Sequence, residues 1–419
     1  MKRIASIALA ALLVLLTACG AEAPAAQGFK PALDTKTACS LNVAGHYSNF
    51  EALEEEFNRF AEHYPNVELT YTYLDNYNKI IATTLESSDA PDIFFTYPWM
   101  ATSEDGAAVL AKAEDLADEA LKIDLSCIRE GMLYEDAQGK VPMVPIYTTT
   151  YGMMVNEDLF KKENLSIPTT YSELLDVCEK LKSAGYPSPM MGYNSFLIYP
   201  MYFPYFCSQI KDDPDAVKAL NDMAPGAGEY ARGALELVDD FMSHGYIDLE
   251  MCNALENDYQ DVIMRFFEGD VPMMLASGNT VSGTEKRESQ SEAFTANPFT
   301  YSFHPVPCSD EGGYFMNTVS MSFSVNSGSE NLDMANEFMR FLVSTEELNR
   351  MAQSKRMVTP CADMSLDAIY ASFGDAKVLY TASLGLADAP DSQMRKAGRQ
   401  VSNGLLTVDE AVAAFGTLE

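Results

Sequence analysis

The side chains that most often carry catalysis or hold metals are present in this chain, but their spacing matches no known catalytic or metal-binding motif. The four histidines, His46, His63, His244 and His304, show no metal-ligand spacing. Among the 61 carboxylates a pair suited to glycoside hydrolysis could exist. However, there is no Gly-x-Ser-x-Gly elbow, no His-Glu-x-x-His motif and no phosphate loop, and the acidic stretch KDDPDAVKALND lacks EF-hand spacing. The sequence therefore indicates neither an enzyme nor a resident metal or cofactor.

The amino-terminal residues have the layout of an export signal that ends at a cysteine. Residues 2 and 3 are basic, and residues 4–16 form an apolar run. Two small residues, Thr17 and Ala18, then precede Cys19. This layout is typical of a secretory signal, and the run is shorter than the about 20 residues that a membrane-spanning helix needs. The sequence LTAC resembles the bacterial lipobox, whose cysteine is diacylated. We predict a signal peptide over 1–18, lipidation of Cys19, and a flexible Ala-, Pro- and Gly-rich tether over 19–38.

Composition limits the possible partners. The chain has 419 residues, 47% of them hydrophobic and 11% aromatic, which is typical of a packed globular protein with room for two domains. Its 28 basic and 61 acidic residues give a net charge of −33, so nucleic acid is excluded as a partner. If Cys19 carries lipid, an odd number of cysteines is left and at least one thiol stays free. One disulfide is possible among these residues, and the sequence does not name the pair: Cys39, Cys127, Cys178, Cys207, Cys252, Cys308 and Cys361.

The periodicity of the chain predicts alternating strands and helices. LNVAGHY, at 41–47, reads as a buried strand, and Ser48 with Glu51 forms a predicted capping box for the helix that follows. VELTYTYL and PDIFFTY read as further strands, with a helix, YNKIIATTLESS, between them. A second capping box, Thr170 with Glu173, begins another helix. This alternation is typical of a doubly wound α/β fold.

Six stretches in this order resemble one protein family. They are FEALEEEFNRFAEHYPNVELTY, DAPDIFFTY, GKVPMVPIYTTTYGMMVNEDLFKKENLSIPTTYSELLDVCEKLKSAG, FFEGDVPMMLASGNT, NLDMANEFMRFLVSTEELNRMAQ and NGLLTVDEAVAAF. Each motif alone is loose, but their common order resembles the family 1 extracellular solute-binding proteins of bacterial ABC importers, most of which bind carbohydrates. The resemblance covers nearly the whole chain after the tether.

The resemblance implies a two-lobed, periplasmic-binding-protein-like α/β fold of the type II kind, with hinge strands crossing between the lobes. We expect an N-lobe over 39–146 and 294–326, and a C-lobe over 147–293 and 327–419. The family implies a receptor that captures a carbohydrate and delivers it to ABC permease subunits with a cytoplasmic ATPase. We expect a monomer on the extracytoplasmic face of the membrane, held there by its lipid anchor.

A sugar ligand would need planar hydrogen-bond partners for its hydroxyl groups and aromatic faces for its C–H faces. Such side chains occur where the predicted strands end. Trp99 is favoured because Pro98 breaks its strand, although any single aromatic residue could equally serve core packing. Ser277 and Asn279 lie where the family often has a tryptophan-bearing loop. The predicted ligand-binding residues are His46, Tyr47, Asn49, Tyr97, Trp99, Thr149, Tyr151, Tyr193, Asn194, Phe196, Tyr199, Ser277 and Asn279.

The sequence departs from the family at positions where sugar-binding relatives often have carboxylates. Gly-His-Tyr at 45–47, Thr-Tyr-Pro at 96–98 and Thr149 stand there instead. The predicted pocket is therefore aromatic and weakly charged, which favours an oligosaccharide over a monosaccharide. Two alternatives stay open: a receptor for another small solute such as a polyamine, which the acidity would suit, and a surface carbohydrate-active enzyme or glycan-binding module.

Overall fold

The computed structural model describes residues 28–255 and 259–418. The predicted signal peptide, Cys19 and the first part of the tether lie outside them. Within the described residues, ten strands form one mixed sheet. They are β1 (Cys39–Gly45), β2 (Val67–Tyr73), β3 (Ile93–Thr96), β4 (Val144–Asn156), β5 (Met190–Met191), β6 (Met273–Ala276), β7 (Tyr301–His304), β8 (Val306–Ser309), β9 (Gly312–Val325) and β10 (Lys377–Tyr380).

Helices cover the sheet. They are α1 (Glu51–His63), α2 (Tyr77–Thr84), α3 (Glu104–Leu110), α4 (Glu157–Lys162), α5 (Tyr171–Ser183), α6 (Tyr199–Ile210), α7 (Pro214–Asn221), α8 (Arg232–Ser243), α9 (Leu249–Ala254), α10 (Tyr259–Phe266), α11 (Gly278–Ser282), α12 (Thr284–Glu288), α13 (Glu292–Ala296), α14 (Leu332–Leu342), α15 (Thr345–Ser354), α16 (Asp388–Ser402) and α17 (Val408–Ala413). None of the helices in the described part of the chain is long and apolar enough to span a membrane.

Two long strands connect the halves of the sheet. The main strand order is β2-β1-β3-β9-β4-β6-β5. β1 runs parallel to both β2 and β3, whereas β9 is antiparallel to β3 and to β4. β4 and β9, with 13 and 14 residues, are longer than their neighbours and extend from one half into the other. The predicted α/β class and the crossing of strands between two lobes are confirmed.

Two separate hydrophobic cores define the lobes. The N-lobe core is built from residues 41–147 and 319–361, and the C-lobe core from residues 153–316 with 358 and 369–412. These boundaries differ from the expected ones in two places. The helix pair α14–α15 packs in the N-lobe core, and β7, β8 and the first half of β9 belong to the C-lobe. Both segments carry an apolar face that fits either half of the sheet. The lobe to which each belongs therefore depends on its long-range partners.

The last part of the expected tether, residues 28–38, is packed against the N-lobe. The Phe29 ring lies 5.2 Å from that of Phe341, edge to face, and the Arg340 guanidinium lies 4.4 Å from the Phe29 ring centre. The backbone N–H of Leu33 donates to the Tyr64 hydroxyl at 3.1 Å. The expectation of a flexible tether is therefore wrong for this part. The Ala-, Pro- and Gly-rich composition suggests no packing, but the single aromatic residue Phe29 anchors the segment.

One of the two predicted helix caps is present. The Thr170 side chain accepts from the Glu173 N–H and the Glu173 carboxylate accepts from the Thr170 N–H, so this capping box is confirmed. The Ser48 box is wrong, because Phe50 occupies the N-cap position of α1 without a side-chain cap. The Tyr71 hydroxyl accepts from the N–H of Tyr47 and donates to its carbonyl, both at 2.9 Å, and these bonds fix the segment before α1.

Candidate ligand-binding cleft

A cleft lies between the lobes, and the crossing strands β4 and β9 form its floor. It contains a cavity of about 540 Å³, which we name the histidine cavity. The N-lobe contributes the residues that follow β1 and β3, and the C-lobe contributes residues of α11. The lining residues are His46, Tyr47, Ser48, Asn49, Tyr97, Tyr147, Asn279, Ser282, Ser320, Lys355 and Met357.

The centre of the histidine cavity is a pair of hydrogen-bonded side chains. His46 follows β1 and Tyr97 follows β3, and these parallel strands are neighbours, so their carboxyl ends bring the two residues together. His46 Nδ1 lies 2.5 Å from the Tyr97 hydroxyl oxygen. Burial lowers the pKa of His46, and burial raises the pKa of Tyr97. A neutral imidazole therefore accepts the hydrogen bond from the phenol.

Trp99 lies beside this pair without lining the cavity itself. It belongs to a short 3₁₀ turn, Pro98–Ala101, directly after β3. Its ring is nearly parallel to that of Tyr97, with 6.2 Å between the ring centres and 8° between the planes. Trp99 thus stacks on Tyr97 next to the cavity and is half-buried.

The hydrogen bond between His46 and Tyr97 predicts a pH-dependent affinity. The pKa of His46 is lowered from 6.5, so the ring stays neutral at and above that pH. Protonation of Nδ1 removes the acceptor, and we expect affinity to fall roughly tenfold as the pH drops through the lowered pKa. Calorimetric titration between about pH 4.5 and 8 measures this. The variant His46→Gln, which does not titrate, should bind equally across the range, and a pH-independent wild type would contradict the assignment.

A second, narrower cavity of about 160 Å³ lies in the same cleft, and we name it the arginine cavity. It is lined by one N-lobe segment (98–102), by β4 and β9, and on the C-lobe side by α6, residues 381–387 and α16. The lining residues are Pro98, Thr102, Tyr151, Tyr199, Phe203, Cys207, Met316, Thr318, Val319, Thr381, Leu384, Leu386, Ala387, Asp388, Asp391 and Arg395. Pro98 and Val319 adjoin Tyr97 and Ser320 of the histidine cavity, so the two cavities are adjacent along the cleft.

Arg395 organises the arginine cavity. Its guanidinium lies 4.0 Å above the centre of the Tyr199 ring, donates to the Tyr199 hydroxyl at 2.7 Å and donates to Asp391 at 3.1 Å. Burial alone would lower the pKa of Arg395, but Tyr199 and Asp391 raise it overall. Across the cleft, the Thr102 hydroxyl donates to Asp388 at 2.9 Å, which is a direct contact between the lobes. The cavity therefore combines aromatic faces with fixed charged groups.

The structure brings some of the predicted binding residues together and separates others. His46, Tyr47, Asn49, Tyr97 and Asn279 line the histidine cavity. Two more predicted residues line the arginine cavity: Tyr151 and Tyr199. The others line neither cavity: Trp99, Thr149, Tyr193, Asn194, Phe196 and Ser277.

The predicted loop around Tyr193 forms the wall behind the arginine cavity. Tyr193 and Phe196 are 7% and 9% exposed and stack at 5.1 Å. Phe196 in turn packs against Tyr151 at 5.5 Å. Thr149 and Ser277 are also buried. These residues shape the cavity through packing, which is the alternative that the sequence left open for each aromatic residue.

Sequence reasoning missed several lining residues. Lys355 lies at the end of α15, with its ammonium 5.9 Å from the Phe50 ring centre, and burial lowers its pKa. Asp388, Asp391 and Arg395 lie three and four residues apart on α16, so one face of this helix carries all three. This spacing could have indicated a charged helix face. No local pattern, however, shows that a helix near the carboxyl terminus packs beside strand ends of the N-lobe.

A buried polar network fixes the crossing strands below the cleft. Asn317 of β9 donates through its amide to the hydroxyls of Thr148 and Thr150 of β4, at 3.0 and 2.7 Å. Its carbonyl oxygen accepts from Arg129 at 2.9 Å. The Thr148 hydroxyl donates in turn to the carbonyl of Val358 at 2.6 Å. Four chain segments are thus held together where the lobes meet, because each buried polar group needs a partner.

Comparison with known proteins decides the family. The family model described as bacterial extracellular solute-binding protein matches residues 44–348. The chain belongs to this family. Members of the family act outside the cytoplasm, which gives this solute-binding protein an extracytoplasmic location. No curated protein sequence matches the chain.

Solved structures share the fold at low sequence identity. A sugar transporter protein of Bacillus licheniformis in complex with stachyose is 17% identical, with a TM-score of 0.62, covering 91% of this chain and 100% of that one. The GacH receptor of Streptomyces glaucescens, solved without ligand and with acarbose, is 16% identical, with a TM-score of 0.68 and coverage of 91% and 97%. RafE of Streptococcus pneumoniae is 17% identical, with a TM-score of 0.61 and coverage of 91% and 98%. At this identity the likeness shows the fold alone.

Proposed function

We propose that this solute-binding protein is a lipid-anchored receptor that captures an oligosaccharide and delivers it to the permease of an ABC importer with a cytoplasmic ATPase. The observation that carries the proposal is the histidine cavity, because residues of both lobes line it. His46 and Tyr97 come from the N-lobe, and Asn279 comes from the C-lobe. A solute held by both lobes can shift the equilibrium between open and closed forms.

The side chains of the histidine cavity suit a polyhydroxylated ring. Asn49 and Asn279 offer amide donors and acceptors for hydroxyl groups, and Tyr97 offers an aromatic face for C–H groups. The cavity holds one cationic group, Lys355, and none of its lining residues is a carboxylate. A related structure contains stachyose and another is a complex with raffinose, which supports an oligosaccharide as the ligand class.

The arrangement of the two cavities supports a ligand longer than one sugar unit. They are adjacent along one cleft, and Tyr97 and Pro98 are consecutive residues at their border. The larger cavity, of about 540 Å³, has room for a sugar unit, and the smaller one presents the half-buried Tyr151 ring to a further unit. We therefore favour an oligosaccharide that spans both cavities.

We propose that the protein binds its solute without changing it. The carboxylates that line the arginine cavity are engaged by neighbours: Asp391 by Arg395, and Asp388 by the Thr102 hydroxyl. A carboxylate held by a guanidinium or a hydroxyl group is not placed to donate the proton that glycoside hydrolysis needs. Recovery of an unaltered oligosaccharide after prolonged incubation with the protein, checked by chromatography, tests this point, and released shorter sugars would contradict it.

One observation keeps a polyamine receptor as the second candidate. Asp388 and Asp391 lie beside the aromatic faces of Tyr151 and Phe203 in the arginine cavity, and carboxylates with aromatic rings can bind an ammonium chain. Arg395 opposes this, because its guanidinium already pairs with Asp391. The experiment that tests the carbohydrate proposal therefore includes spermidine.

A thermal-shift screen tests the proposed ligand class. The panel contains raffinose, stachyose, acarbose, chitin and xylan oligosaccharides, their constituent monosaccharides, and spermidine. A ligand that binds only the folded protein at 100 times its Kd stabilises it by about 2.7 kcal/mol. We expect at least one oligosaccharide to raise the melting temperature where its monosaccharides do not. A shift with spermidine alone would support the polyamine receptor, and no shift with any sugar would contradict the proposal.

The proposed anchor rests on the lipobox-like sequence before Cys19. We expect the variant Cys19→Ser to lose membrane association, because two acyl chains are needed for stable anchoring and no other part of the proposal supplies one. Fractionation of cells into membrane and soluble material, with detergent extraction, measures this. If Cys19→Ser stays in the membrane fraction as firmly as the wild type, the lipoprotein assignment is wrong.

A further inference from the structure

Two cysteines that are distant in sequence meet beside the cleft floor. Residues 127–129 and 360–362 run antiparallel, and Ile128 lies opposite Cys361. The N–H of Ala362 donates to the carbonyl of Cys127 at 2.8 Å, and the N–H of Arg129 donates to the carbonyl of Pro360 at 2.9 Å. The backbones on both sides of the two cysteines are therefore fixed relative to each other.

The backbone bridge places the two thiols beside each other. Their interaction raises the pKa of Cys127 and lowers the pKa of Cys361. Cys127 is partly exposed, whereas Cys361 is buried. Among the other described cysteines, Cys178 and Cys207 are enclosed in the C-lobe core, where burial raises the pKa of each thiol.

We propose that Cys127 and Cys361 form a disulfide in the exported protein. The family acts outside the cytoplasm, where disulfides form and persist. The inference needs this location but is independent of which solute the cleft binds. It names the pair that the cysteine count alone leaves open.

The reaction is thiol–disulfide exchange with an external disulfide as the oxidant. The Cys127 thiolate, formed when its proton passes to solvent, attacks the oxidant, and one thiolate of the oxidant leaves as a mixed disulfide forms. Cys361 then loses its proton, attacks the Cys127 sulfur and expels the second thiolate of the oxidant. Cys127 and Cys361 lose two electrons and two protons in total, and the oxidant is reduced to two thiols. Cys361 suits the second step because it is buried, whereas the partly exposed Cys127 can meet the external oxidant first.

The disulfide would fix a third segment that passes below the cleft. Cys361 ends the stretch that leaves α15 and passes the floor, where the Val358 carbonyl accepts from Thr148 of β4. A bond to Cys127 ties this stretch covalently to the N-lobe, whose core contains Cys361. Because the bond closes a loop of most of the chain, it also restricts the unfolded state strongly.

Differential alkylation of the exported wild-type protein tests the proposal. The full-length protein is extracted from membranes without reductant, denatured and treated with N-ethylmaleimide, then reduced and treated with iodoacetamide. We expect the iodoacetamide label on Cys127 and Cys361, and N-ethylmaleimide on the other unacylated cysteines. N-ethylmaleimide on both Cys127 and Cys361, or a different pair protected, would overturn the proposal.

Two variants distinguish a disulfide from two thiols that only pack against each other. In Cys127→Ser, the Cys361 thiol should carry N-ethylmaleimide, whereas Cys252→Ser should keep the protected pair. Reductant should lower the melting temperature of the wild type by roughly 5–10 °C and leave that of Cys127→Ser unchanged. Cys127 is the residue to replace because it is partly exposed, so the variant can fold. An equal effect of reductant on both proteins would overturn the proposal.

Discussion

Replacing Tyr97 with alanine is expected to weaken oligosaccharide binding by about 30- to 1,000-fold, the range of a central aromatic anchor. Tyr97 lines the histidine cavity, packs one face against the Trp99 ring and donates its hydroxyl to His46. The substitution removes the stacking face and leaves the His46 acceptor without its partner. Isothermal titration with the sugar that gives the largest thermal shift measures the loss.

Two matched variants show whether the effect belongs to the cleft. Tyr97→Phe keeps the ring and should lose only the part of the affinity that depends on the hydroxyl group. Tyr230, which is 40% exposed and lines neither cavity, gives the control Tyr230→Ala, which should bind normally. Wild-type affinity in Tyr97→Ala would remove the histidine cavity from the ligand site.

Replacing Arg59 with alanine is expected to destabilise the protein by about 3–5 kcal/mol, the cost of breaking a buried ion pair. Arg59 of α1 donates through Nε to Glu347 of α15 at 2.9 Å and to Glu56 at 3.2 Å. The carboxylates are almost fully buried, with side chains 7% and 1% exposed. Burial and the neighbouring Glu347 raise the pKa of Glu56 to about 8. Without the guanidinium, the remaining basic partner of Glu347 is Arg350, whose Nε lies 3.6 Å from the carboxylate.

Chemical denaturation monitored by circular dichroism measures the Arg59→Ala effect. The control is Lys218→Ala, which removes a pair with Asp222 whose side chains are 73% and 58% exposed. Exposed pairs of this kind contribute about 0–1 kcal/mol, so the control should stay close to the wild type. If Arg59→Ala were as stable as Lys218→Ala, the α1–α15 junction would not hold the helix pair in the N-lobe.

Local patterns in the sequence predicted the elements well where one short stretch decides the structure. The Thr170 capping box lies within four residues, and its helix begins as expected. The Ser48 box failed because Tyr71, a residue of the neighbouring strand, holds the preceding segment. The lobe of α14–α15 also depended on distant partners, since Phe338 packs against Phe60 of α1.

The candidate site shows the same difference between local patterns and long-range contacts. Strand ends are visible in a sequence, and parallel strands bring their carboxyl ends together, so the sequence alone is enough to group His46 with Tyr97. It could not group Arg395 and Asp391 with them, because α16 reaches the cleft only through its packing on α6 and α8. Cys127 and Cys361 likewise meet through a single antiparallel bridge, which leaves no periodic signal in the sequence.

The fluorescence of Trp99 tests the central claim, that a sugar binds in the cleft between the lobes, most directly. Trp99 is the single tryptophan in the chain and stacks on Tyr97. Titration with the sugar that raises the melting temperature most should give a saturable change in emission, with the same Kd as calorimetry. The change should be absent in Tyr97→Ala at the same sugar concentrations. Calorimetric saturation without any change in Trp99 emission, together with normal binding by Tyr97→Ala, would contradict binding in this cleft.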